Sequence, residues 1–140
     1  MSELSITLLR VQCEEVTDDF LEGITDEFGW RLTQYDAQGG SRVSEQIPMD
    51  GLGDVAAGSE HVVDRELCRI GPDCDHACLE FWDRDTFSED DLLGRIEIVR
   101  EKSGDFTVRP SLYAKVLEDG SFNLTGHMGD YTVWLSFDET

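Results

Sequence analysis

Lysine is nearly missing from this sequence of 140 residues. Lys102 and Lys115 are the only two, and with arginine they make 11 basic residues against 31 acidic ones. The formal net charge of −20 and the pI near 4.2 leave no basic face for phosphate contacts, so no nucleic-acid partner is expected. No apolar run is long enough to span a bilayer, and the start, MSELSITLLRVQCEE, has neither the basic stretch nor the small-residue cleavage site of a signal peptide. A cytoplasmic location is therefore expected, with non-classical export left open. Gly-x-Ser-x-Gly, His-Glu-x-x-His and a glycine-rich phosphate loop are all missing, which removes the usual signatures of nucleophilic, metalloprotease and phosphate chemistry. Acids gathered in one cluster also lack the separated acid and base of a glycosidase. The chain is expected not to be an enzyme. A helical period is scarce too: Glu14 to Ile24 comes nearest, and Gly23 and a run of acids weaken it.

Strand periodicity is what the sequence does contain. Ile6, Leu8 and Arg10 alternate with Thr7, Leu9 and Val11, and Leu79 and Phe81 alternate with Glu80 and Trp82. Ile96 and Ile98 flank Glu97, and Tyr131, Val133, Leu135 and Phe137 alternate with Thr132, Trp134 and Ser136. Further runs at 28–35, 61–68, 106–109, 112–117 and 121–124 are separated by turn residues, and Asp119-Gly120 is a hairpin signal. The segment from Ser41 to Gly58 is the least regular and reads as a long surface loop with a short strand near Val43 to Ile47. One domain over residues 1–140 is expected, all-β, an antiparallel two-sheet sandwich of seven to eight strands.

The acidic residues are not evenly informative. After the run ending at Trp82, Asp83, Asp85, Asp90 and Asp91 fall within nine residues. Carboxylates crowded in this way repel one another at neutral pH unless a cation sits among them, and hard oxygen donors suit Ca2+. The loop is not an EF-hand. Counting from Asp83, Phe87 falls where a ligand belongs, Ser88 where the turn glycine belongs and Gly94 where the bidentate glutamate belongs.

The order Phe81-Trp82-Asp83-Arg84-Asp85, five residues, Asp91-Leu92-Leu93-Gly94 resembles the third calcium loop of the C2 domain. Asp26-Glu27-Phe28 matches the opening of the strand after the family's first loop, with Glu in place of Pro, and Asp19 lies seven residues earlier. Cys13, Thr17-Asp18 and the terminal Gly129-Asp-Tyr-Thr-Val-Trp-Leu135 are similar to small bacterial C2-like domains. The resemblance implies a Ca2+ site formed by Asp19, Asp26, Asp83, Asp85 and Asp91, with Asp18, Glu22, Glu27 and Asp90 as secondary candidates. It implies a binding module that uses Ca2+ at its loop end to engage a membrane or a protein. The competing expectation is a Ca2+-stabilised structural or self-associating subunit. Membrane contact would have to be Ca2+-dependent and run through Phe20, Leu21 and Phe87, because two Ca2+ would bring the charge from −20 only to about −16 and basic residues are scarce. An acidic coat serving solubility in salt is the plainer reading of the same residues.

Three of the four cysteines lie in Cys68-Arg-Ile-Gly-Pro-Asp-Cys74-Asp-His-Ala-Cys78. The spacings are not those of zinc ribbons or fingers, and a Cys and His zinc site would need His76 or the distant Cys13 as its fourth ligand. A disulfide between Cys68 and Cys78, or between Cys74 and a neighbouring cysteine, and free thiols are the other readings.

Overall fold

The computed structural model describes residues 2–17, 25–84 and 89–140. Among them are eleven strands: β1 (Leu4–Glu15), β2 (Thr25–Asp36), β3 (Ser41–Gln46), β4 (Asp54–Ala56), β5 (Glu60–Ile70), β6 (Cys74–Asp83), β7 (Asp91–Arg100), β8 (Phe106–Pro110), β9 (Ala114–Val116), β10 (Phe122–Leu124) and β11 (Asp130–Glu139). A single 3-10 turn, Gly126–Met128, precedes the last strand. No helix among the described residues is long and apolar enough to cross a membrane.

The strands form two antiparallel sheets. One has the order β5-β1-β11-β10-β9 and the other β3-β2-β6-β7-β8, with β4 paired to the start of β2. The all-β sandwich is as expected, but eleven strands replace the seven or eight. The short β9 and β10 fall within the runs read at 112–117 and 121–124 and stand as separate strands, while β4, three residues at Asp54–Ala56, is too short to display an alternation. The segment 41–58 is likewise more regular than its composition suggests, since β3 and β4 both pair along β2. Glu14 and Glu15 close β1, so the weak helical pattern does not begin there.

Alternation places the core. Leu79 and Phe81 of β6, Ile96 and Ile98 of β7, and Tyr131 and Val133 of β11 face inward and are almost wholly buried. In β1 the phase breaks once. Leu4, Ile6 and Leu8 are buried, Leu9 is exposed, and a register shift between Leu8 and Arg10 brings Val11 and Cys13 inward. Gly94 shows how closely the sheets meet, because a Cβ at that position would lie 2.6 Å from the Leu124 side chain on the facing sheet. At Asp119-Gly120 the expected hairpin joins β9 to β10, and Gly120 takes the positive φ of 87° that the turn requires.

Candidate functional site

Asp26 shares the inward phase of β2 with Phe28, Trp30 and Leu32, and Asp83 shares that of β6 with Leu79 and Phe81. Strand register then brings the two aspartates to one end of the sandwich, where Phe28 is paired with Asp83 and Asp83 with Asp91. Both Asp26 and Asp83 are 2% exposed. They are therefore strand residues pointing into the end of the core, whereas their sequence context places them in solvated loops. Below them lies an aromatic floor in which Phe28 stacks on Phe81 at 5.4 Å and on Tyr131 at 5.5 Å.

Thr17, just past β1 and itself buried, joins the two carboxylates. Its backbone N–H donates to Asp26 Oδ2 at 3.0 Å, and its Oγ1 lies 2.8 Å from both Asp26 Oδ1 and Asp83 Oδ2. The Tyr131 hydroxyl donates to Asp26 Oδ2, and the Glu27 N–H donates to Asp83 Oδ1 at 2.8 Å. A hydroxyl has one proton to donate. Thr17 can thus satisfy one of its two carboxylate neighbours, and the other contact needs a carboxyl proton or a cation.

Electrostatics agree with that count. Burial, followed by the negative charge of Asp26, pushes Asp83 up to about 7 against the opposing hydrogen bonds from Thr17 and Glu27. Burial and the Asp26 charge also keep the Tyr131 hydroxyl protonated, as the donor role requires. Cys13, beside Tyr131, is pushed by burial to about 11 and is a thiol.

Asp91 opens β7 opposite Asp83, part-buried, with its Oδ1 3.4 Å from His127 Nδ1. Glu27 takes part through its backbone: its N–H holds Asp83, and its C=O accepts the Arg84 N–H at 3.0 Å. Asp18, Asp19, Glu22 and Asp85, together with the apolar Phe20, Leu21 and Phe87, lie outside the described residues. Of the five expected ligands, the fold brings Asp26, Asp83 and Asp91 to one end. Thr17 and Tyr131 were legible as members of a familiar sequence pattern, but nothing local marks them as partners of Asp26.

Two inward carboxylates around one hydroxyl proton can hold either a further proton or a hard cation, and their donors are all oxygen. Asp26, Asp83 and Asp91 lie at the same end, but their ligand atoms do not come within 4.8 Å of one another as a three-residue cluster. What matches Ca2+ here is the donor type, oxygen alone.

All four cysteines are free thiols. Cys68 lies on β5 of the other sheet from Cys74 and Cys78, the Cys68–Cys78 disulfide is not formed, and the three cysteines do not gather as a metal cluster. A scan against protein-family models gives no match, and a search of curated proteins by sequence gives none either.

Proposed function

We propose that the chain is a non-enzymatic calcium-binding module in which Asp26, Asp83 and Asp91 contribute to a Ca2+ site at one end of the sandwich, and that this end engages a protein partner. The observation that supports it is the Thr17 hydroxyl placed 2.8 Å from both the Asp26 and the Asp83 carboxylate, an arrangement one proton short of satisfaction. Ca2+ would supply the missing positive charge. A protein is favoured over a membrane as partner because a net charge of −20 opposes adsorption to an anionic surface even after two ions are bound.

The 2% exposure of both aspartates favours a second reading in which the ion is mainly structural. Held from inside the fold, it would join β2 to β6 and relieve their repulsion, so that Ca2+ acts as a stability or assembly switch. The deciding experiment is calorimetric Ca2+ titration of the wild type beside the double variant Asp83→Asn, Asp85→Asn. Equal Ca2+ affinity and equal melting in chelator would refute the site. Light scattering and sedimentation with anionic vesicles, each with and without Ca2+, then separate the uses: Ca2+-dependent oligomers support the structural role, and Ca2+-dependent pelleting with vesicles restores the membrane as partner.

A further inference from the structure

A second group of metal-binding side chains lies on the opposite kind of surface. His76 and Cys78 are two residues apart on β6 and point to the same outward face, and Glu97 of β7 stands directly across from Cys78. His76 Nε2 is 3.9 Å from Cys78 Sγ and 4.0 Å from Glu97 Oε1, and the three donor atoms lie within 4.8 Å of one another. Donors bound to one tetrahedral zinc stand roughly 3.5 Å apart, given bond lengths of about 2.0–2.3 Å. The side chains are therefore within a small rotation of ligating geometry.

Neighbours hold them there. Tyr35, paired with His76 across from β2, stacks on the imidazole at a centroid distance of 5.6 Å. Arg109 of β8 lies opposite Glu97 and reaches its Oε2 at 3.4 Å, which leaves Oε1 on the His76 side. Arg95 is committed to Glu80, at 2.8 and 3.0 Å, so it does not cover the triad. All three ligand residues are half-buried, within reach of a metal arriving from solvent.

We propose that His76, Cys78 and Glu97 form a site for a borderline divalent transition metal, Zn2+ foremost, with its fourth position open to water. The mixed nitrogen, sulfur and oxygen set selects against Ca2+ and Mg2+, which take oxygen alone. Cys78 is a free thiol before a metal arrives. Binding replaces its S–H bond with a metal–sulfur bond and releases that proton to solvent. This site does not depend on the reading of the sandwich end.

Co2+ is the probe, since a thiolate ligand gives it a charge-transfer absorption that oxygen ligands do not. Titration of the full chain should show that band saturating at one equivalent, with about one proton released per ion, and Zn2+ should displace it. Cys78→Ser should abolish the band, and Glu97→Gln should weaken binding on the order of tenfold or more. Cys68→Ser and the pair Asp83→Asn, Asp85→Asn should keep it. A wild type without the band, a band that survives Cys78→Ser, or a band lost with Cys68→Ser or the aspartate pair would overturn the assignment.

Discussion

The end of the sandwich and the outer face of the six-stranded sheet place acidic residues in opposite settings. At the end, Asp26 and Asp83 point inward beneath solvent, share one hydroxyl and rest on an aromatic floor. On the outer face Glu97 stands half-buried beside a histidine and a thiol, with Arg109 within 3.4 Å. The first setting raises the proton affinity of a carboxylate and offers oxygen to a hard cation. The second keeps a carboxylate near a cationic side chain and offers a softer donor set. A net charge of −20 is thus a sum over acidic groups that differ in dielectric and in partners.

The contrast can be broken most severely from the floor. Phe28 is wholly buried between Phe81 and Tyr131, so Phe28→Ala should cost about 3–5 kcal/mol in urea unfolding and release both carboxylates from their fixed approach. Next in size is the ion itself. Free Ca2+ at a hundred times its Kd should stabilise the wild type by about 2.7 kcal/mol. Asp83→Asn should remove that gain, as read from melting with and without chelator.

The same variant carries the pH test. Asp83 has its folded-state value raised from 3.8 to about 7, so its contribution to stability is complete below the lower figure and is lost as pH climbs through the higher one. In chelator, the melting temperature of the wild type relative to Asp83→Asn should fall across that window; a flat difference would mean that neither burial nor the charge of Asp26 raises the Asp83 carboxyl. Removing the shared hydroxyl with Thr17→Val should cost about 2 kcal/mol, the range for hydrogen bonds to charged groups. Smallest of all, Cys78→Ser on the outer face should change stability without metal by about 0.5 kcal/mol or less, since no described hydrogen bond of the core depends on it.

Much of the fold was legible in the sequence because strand alternation is local: the inward set Leu79, Phe81, Ile96, Ile98, Tyr131 and Val133 follows from a period of two. The hairpin at Asp119-Gly120 was legible for the same reason, since a turn with positive φ needs only its own residues. The bulge at Leu9 was not, because an extra residue in one strand is fixed by pairing with β5 and β11 on either side. Nor was β4, whose three residues are ordered by pairing with the start of β2, whereas β3 overlaps the short strand expected near Val43 to Ile47.

The same division holds for the sites. Spacing marked Asp83 and Asp91 together with Asp85 and Asp90, because carboxylates crowded beside a strand end are a local pattern, and the resemblance to C2 loops added Asp26 and Asp19. That Asp26 and Asp83 turn inward onto one threonine, with Tyr131 as a third partner, depends on bringing together residues from β2, β6 and β11. Glu97 carried no mark beside Ile96 and Ile98, and only the β6–β7 register sets it opposite Cys78. The sequence by itself determined which residues face the core and which segments are rich in ligand atoms, since both follow from neighbours along the chain. Tertiary structure decided which of those atoms meet and how deeply they are buried, since register and sheet packing join strands that are distant in sequence.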